Sequence, residues 1–291
     1  MDLLLQQLIN GVALGAVYAL IALGFALVFS VLRMMNFAHG DTYLVGVYVV
    51  LGSLQSGLPA PIALLLGAAT AALLAALVER IAYRPLRSSH PMMPIMAAIA
   101  AGIILRQVVV FVWGVQTQSF PQLLPVPYNL GNLQISGTQV ITLVVAIVCA
   151  VGFRQFLNRT RWGRAIILMR QDLEVARLMG IPVDEVVTLV YALAGLLGVI
   201  GGLLFATNYG VVDSQMGING TVNGFIASVL GGLGGLEAAL VGGLLLGIVQ
   251  QLTSAYISSS WQTAVSFAIL ILVLLVRPNG LIPGQAAPER A

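Results

Sequence analysis

The chain has 291 residues, 59% hydrophobic and only 8% charged, where a soluble domain holds about 45–50% apolar and about 25% charged residues. That composition excludes a soluble globular protein. Thirteen arginines oppose ten acidic residues for a formal charge of +3, and no lysine occurs, which excludes a P-loop lysine on a nucleotide phosphate and a Schiff-base lysine.

Apolar stretches of the length that crosses a bilayer, about 20 residues, recur along the whole chain. Nine spans are predicted, near residues 7–31, 35–54, 60–78, 92–115, 138–156, 186–207, 219–233, 236–255 and 261–276, with eight as the alternative. No positive charge precedes Leu3-Leu4-Leu5 and the first arginine, Arg33, follows the first span, so this span reads as retained rather than cleaved as a signal peptide. Basic loops stay on the cytoplasmic side. With the N-terminus outside, the inward segments hold Arg33, then Arg80, Arg84 and Arg87, then Arg154, Arg159, Arg161, Arg164, Arg170 and Arg177, and finally Arg277 and Arg290. The remaining arginine, Arg106, falls inside the fourth span and needs a partner or water. Eight spans would put Arg277 outside, so the prediction is an all-α polytopic membrane protein with nine spans, N-out and C-in, forming one domain over residues 1–291.

In chain order, the densest polar cluster opens the second span: Asn36-Phe37-Ala38-His39-Gly40-Asp41-Thr42-Tyr43. Asn36 is suited to cap the helix start, and two readings stand: a locally satisfied helix end, or an interrupted span lining an aqueous path. The loop from Gln116 to Gly137 is uncharged, carries Pro121, Pro125 and Pro127, and reads as an irregular outer cap. The lone cysteine, Cys149, lies in an apolar run and reads as a buried small hydrophobe, leaving no intrachain disulfide. The inward loop, about 158–185, is the most charged. It predicts an interfacial helix from Trp162 to Arg170, then a second helix from Asp172 to Met179, closed by Gly180 with Pro182 beyond, and two readings stand: a surface that docks a cytoplasmic partner, or a solvated loop that only sets topology.

A second interrupted segment, Gly217-Ile218-Asn219-Gly220-Thr221-Val222-Asn223-Gly224, opens the seventh span. In the nine-span reading it runs opposite to the second span, and such a pair points to an inverted-repeat transporter with its path at the repeat interface. Gly11 with Gly15, Gly198 with Gly202, Gly220 with Gly224 and Gly243 with Gly247 have the small-xxx-small spacing that lets helices approach closely.

Other classes fit poorly. His39-Gly40-Asp41 falls short of the motif of membrane aspartyl proteases, and Asp2, Asp172, Asp184 and Asp213 all lie at ends or in loops. The only other histidine, His90, lies in an inner loop, so no paired-histidine metal site forms on a helix. No catalytic residue and no metal ligand is therefore assigned. An ion-coupled carrier or channel usually buries several carboxylates, whereas the spans offer Asp41 and little else. A pore driven by a cytoplasmic partner explains the pattern better.

Four motifs in order, Met35 to Asp41, Asp172 to Ile181, Val229-Leu230-Gly231-Gly232-Leu233-Gly234 and Arg277-Pro278-Asn279-Gly280-Leu281, make the chain similar end to end to the LivH-type permease family of bacterial ABC importers. The resemblance implies an inner-membrane permease paired with a LivM-like second permease, two cytoplasmic ATPase subunits and a periplasmic substrate-binding protein, with the bilayer around it and no nucleic acid. It implies no cofactor on this chain, ATP and Mg residing on the partner ATPases. It makes Asp172, Glu174, Ala176, Arg177, Gly180, Ile181 and Pro182 the ATPase-coupling positions and matches Asn36, His39 and Asp41 to the family's second-span motif; these three, with Phe37 and Gly40 beside them and Asn219 and Asn223 from the second interrupted segment, are the expected pathway or gating positions. Branched-chain or related hydrophobic amino acids are the expected cargo, with urea, amides and aromatic or other organic acids as alternatives.

Overall fold

Inside a bilayer no water accepts backbone hydrogen bonds, so apolar stretches satisfy them internally as helices. The computed structural model describes residues 2–87, 89–90, 92–121, 127–130 and 133–282. The elements run α1 (Asp2–Leu32), α2 (His39–Gln55), α3 (Ala60–Val78), a π-helical turn (Glu79–Tyr83) and a 3-10 turn (Arg84–Leu86), α4 (Met92–Trp113), β1 (Gln118–Ser119), β2 (Pro127–Leu130), β3 (Leu133–Ser136) and α5 (Gly137–Arg159). They continue with α6 (Arg161–Gln171), α7 (Leu173–Leu178), α8 (Val183–Tyr209), β4 (Val211–Val212), α9 (Met216–Gly231), α10 (Leu236–Tyr256) and, after a second 3-10 turn, α11 (Gln262–Val276). Seven helical segments among the described residues are long and apolar enough to cross a membrane. The chain is a multi-pass membrane protein. Helices α2 and α9, at 17 and 16 residues, are shorter.

Helix α1 is the hub. It is apolar all round, as a fully enclosed helix must be, and 89% of its most apolar window is buried. Its closest neighbour is α10, and the predicted glycine spacing explains the approach: a Cβ on Gly15 would lie 2.7 Å from Leu244 Cα, and one on Gly11 2.8 Å from Ile248 Cα. Gly243 and Gly247 face back onto Ala19 and Gly15. Helices α4, α5 and α11 sit at the periphery, with 17%, 17% and 11% of their apolar windows buried.

One end of the bundle gathers Arg33, Arg170 and Gly234 with α6, α7 and the first turn of α8, and is basic. At the other end Gln6 and Asn10 of α1 bond Gln134 and Gln139, at 2.8 and 2.9 Å.

Three expectations are corrected. The outer cap is not wholly irregular: β1 pairs antiparallel with β4, and β2 with β3. The β1–β4 ladder joins segments far apart in sequence, which local composition does not reveal, and it satisfies backbone groups without side-chain partners. Cys149 is only part-buried, because the outward arc of α5 is uncovered within this chain. The second span begins as a helix at His39, not at residue 35, since Met35–Ala38 forms a non-helical lead-in held by side-chain bonds. Pro125 and Arg290 lie outside the described residues.

Candidate translocation and coupling sites

The two short helices start inside the bundle, N-terminus against N-terminus. Gly40 N–H donates to Thr221 Oγ1 at 2.9 Å, and Tyr43 O–H to the Met216 carbonyl at 3.2 Å. The crossing needs glycine: a Cβ on Gly40 would overlap the Gly217 carbonyl oxygen and Thr221 Oγ1, and one on Gly220 the Tyr43 hydroxyl. From this crossing α2 runs toward Trp113 at the end of α4, and α9 toward Gly234 near Arg33. The two segments read from the sequence as interrupted thus meet at one junction, although residues 217–224 are continuous α-helix within α9 rather than a break.

At the junction lies the partner of Arg106. Its Nε and Nη2 donate to Asp41 Oδ1 and Oδ2 at 3.0 and 2.9 Å, a bidentate pair with side chains 18% and 3% exposed. Planar two-point pairing is the strongest geometry for guanidinium and carboxylate. The carboxylate is wedged between two glycines, since Cβ atoms on Gly217 and Gly102 would stand 2.7 Å from Oδ1 and 2.5 Å from Oδ2.

The other predicted pathway residues divide. Asn36 does not occupy the cap position of α2, but its Oδ1 accepts from Ala38 N–H at 3.1 Å, holding the lead-in. His39 turns away from the junction into a notch between Gly24 and Gly198, edge-on to Phe25 and Tyr43, and its buried Nε2 has no hydrogen-bond partner among the described residues. Phe37 leans on Phe225 at 6.3 Å. Asn219 is exposed. Asn223 belongs to a network in which its amide donates to Tyr18 Oη at 3.3 Å and its Oδ1 accepts from Gln250 at 2.9 Å, while Gln250 also meets Tyr18 at 2.7 Å and Ser266 at 2.9 Å. That network ties α1, α9, α10 and α11 at membrane depth, where an unpaired polar group is costly.

On the basic face the predicted helices form. Thr160 caps α6 through Gly163 N–H at 2.9 Å. Arg170 at its end donates to the Gly234 carbonyl at 2.8 Å, and burial together with the Arg33 charge holds its guanidinium below the ordinary pKa. Asp172 caps α7, accepting from Glu174 and Val175 N–H at 2.9 and 3.1 Å. Gly180 closes it at φ +79°, a left-handed conformation that favours glycine. Ala176 is the buried anchor. Glu174, Arg177 and Pro182 are exposed, Ile181 is part-buried, and Leu178 and Met179 stand 88% and 65% exposed.

Sequence reasoning missed a charged cluster where α3 meets α8. Glu79, completely buried, accepts from Arg87; Arg87 also donates to Asp184 at 3.1 Å, and Arg84 to the same carboxylate. Thr188 O–H donates to the other oxygen of Glu79 at 2.7 Å. The available signal was Glu79-Arg80-Ile81-Ala82-Tyr83-Arg84-Pro85-Leu86-Arg87, a carboxylate at the end of an apolar run followed by three arginines, which topology counting reduces to loop charge.

Comparison with known proteins agrees with this architecture. The family described as branched-chain amino acid transport system / permease component matches residues 7–274. The high-affinity branched-chain amino acid transport system permease protein LivH of Escherichia coli K12 is 35% identical over 292 residues, covering 96% of this chain and 95% of the relative. BraD of Pseudomonas aeruginosa, named for the same kind of system, is 32% identical with the same coverage. A chain from the solved structure of PsaBC from Streptococcus pneumoniae in complex with Fab shares the fold, with a TM-score of 0.53, 14% identity and 96% and 93% of the two chains covered. With the family matched almost from end to end, this chain belongs to the permease components of branched-chain amino acid transport systems.

Proposed function

We propose that this chain is a membrane permease subunit of an ATP-driven importer, passing branched-chain or related hydrophobic amino acids across a bacterial inner membrane. The match over residues 7–274 carries this reading. In it the chain spans the membrane nine times as a single domain, N-out and C-in, with α2 and α9 as the two short crossings. The basic face carrying α6 and α7 is cytoplasmic, in keeping with the placement of arginines. A reporter fused after Gly280 is then expected to read out as cytoplasmic, and a periplasmic signal would force an eight-span topology.

The partners are a second permease, two cytoplasmic ATPase subunits and a periplasmic binding protein that supplies ligand selection. The chemistry of hydrolysis belongs to the ATPases, and this chain itself binds neither ATP nor metal. The coupling surface is α7 with its exit, Asp172 to Pro182. Apolar Leu178 and Met179 project from a polar loop, and an exposed apolar tip of this kind suits a groove in a partner. The pathway follows the junction of α2 and α9, with Asn36, Phe37, Gly40, Asp41, Asn219 and Asn223 along it and His39 setting the packing behind it.

The docking claim has a direct test. Leu178 is too exposed to support the fold, so L178D is expected to leave membrane insertion intact and to lower recovery of the ATPase subunits with the affinity-purified chain by at least about tenfold, the effect of a single interface residue worth about 1.4 kcal/mol. Undiminished recovery of both ATPases would remove α7 from the interface.

A further inference from the structure

Building on that reading, the π-helical turn Glu79–Tyr83 stands between the two sites and touches both. On one side lies the exit of α7. Ile181 N–H donates to the Ala176 carbonyl at 3.1 Å, and Pro182 is already the cap of α8, so the docking helix and the first turn of α8 are joined by three residues with little slack. That first turn carries Asp184 and, one turn on, Thr188. Asp184 is gripped by Arg84 and Arg87, and Thr188 by Glu79. Arg87 reaches both carboxylates, Asp184 and Glu79, and so fastens α8 to the turn beside the Thr188 bond.

On the other side lies the lead-in to α2. Tyr83, one turn after Glu79 and completely buried, donates its hydroxyl toward the Met35 carbonyl at 3.0 Å and Asn36 Oδ1 at 3.3 Å. Asn36 Oδ1 in turn holds Ala38 N–H. Two residues later come Gly40 and Asp41 at the junction with α9. The Tyr83 ring lies against Tyr191 of α8 at 5.3 Å, so α8 bears on the turn through a ring as well as through charges.

The path from Gly180 to Gly40 is therefore a series of short backbone stretches joined by hydrogen bonds, ion pairs and a ring contact. The intervening element is a π turn, which holds one residue more than an α-turn, and such single turns recur at functional positions. Coupling between distant sites needs a contiguous element with two discrete arrangements, and exchange between π and α hydrogen bonding would supply one: it turns the Tyr83 side chain relative to Glu79.

We infer that the Glu79–Tyr83 turn transmits displacement of α7 to the start of α2, with Tyr83 as a positioning residue for gating. A purely structural Tyr83 would affect assembly and stability together with transport. A transmitting Tyr83 would alter the yield of transport per ATP and leave the rest.

The test uses the complete transporter in proteoliposomes, with the binding protein and a labelled branched-chain amino acid, measuring uptake and ATP hydrolysis side by side. Y83F removes one hydroxyl. It is expected to leave subunit assembly, thermal unfolding midpoint and ATP hydrolysis rate as in the unmutated complex, while molecules imported per ATP fall about five- to tenfold, the low end of site-to-site coupling. T188V, a side chain of nearly the same shape, removes one of the links at the other end and leaves Arg87 and Tyr191 in place, so it is expected to give a smaller fall. In the double variant Y83F/T188V the fall should be no larger than for Y83F alone, because links in series share one coupling energy. An unchanged import-to-ATP ratio in both single variants, or falls that multiply in the double, would overturn the inference. Loss of assembly in step with loss of uptake would also overturn it, by making the contacts structural. An unmutated complex that imports nothing with ATP overturns the importer reading, and the inference falls with it.

Discussion

Alanine at Gly40 is expected to abolish ATP-driven uptake while leaving the protein inserted. At this position a methyl group has nowhere to go: it would overlap the Gly217 carbonyl oxygen and Thr221 Oγ1. Thr221 Oγ1 is also the acceptor for Gly40 N–H, so relief by spreading α2 from α9 loses that bond. Overpacking a close crossing costs about 1–3 kcal/mol and sometimes more. The helix propensity gained by replacing glycine returns only about 1 kcal/mol. The spread itself matters most, because it moves the two helix N-termini apart where the pathway is placed. Truncating the hydroxyl does not help: G40A/T221A still meets the Gly217 backbone and should remain inactive. Gly152 is the control. It lies in α5, where a Cβ would meet nothing within 4 Å, so G152A should transport at the unmutated rate. Uptake by G40A comparable to G152A would show that the crossing tolerates separation and is not the moving part.

What the sequence reveals here, and what it hides, follows from the range of the interactions. Apolar length marked where the helices fall, and local chemistry marked α7 almost to the residue, because Asp172 caps its own neighbours and Gly180 closes the same turn. Glycine spacing marked α1 and α10, among others, as helices that admit a close neighbour, though not that they approach each other. The pairing of Arg106 with Asp41 spans 65 residues and leaves no periodic trace in the chain. Neither does β1 on β4. His39 sits in the polar cluster that the sequence leaves open between a satisfied helix end and an aqueous path, and the notch that receives it is made by Gly24 and Gly198, a pairing of distant segments that no local pattern displays. Glu79 and Arg87 are close in sequence, but the π turn between them shifts which side chains share a face, so a regular helical projection misplaces them.

The Asp41–Arg106 pair should respond asymmetrically to removal of its two members. R106Q leaves a carboxylate that is 3% exposed and hemmed in by Gly102 and Gly217 with its guanidinium partner gone. Breaking a buried pair from one side costs about 3–5 kcal/mol, because an uncompensated charge remains. D41N leaves instead an arginine that is 18% exposed, on a long side chain that can reach toward the open edge of α4, and it should cost clearly less. D41N/R106Q removes both charges and keeps groups that can hydrogen-bond across the same gap, so much of the loss in R106Q should return. Chemical or thermal unfolding of the purified chain in detergent gives the three values and their coupling energy. Equal losses for the two single variants would mean that Asp41 reaches water in a way its burial excludes. Uptake by the assembled transporter then separates two roles for the pair. If D41N/R106Q regains stability but not transport, the charges act on the cargo path itself, where a zwitterionic amino acid would meet a carboxylate and a guanidinium at the mouth of two glycine-lined helices. If it regains both, the pair serves only to hold α4 against α2, and the path runs past it without using its charge.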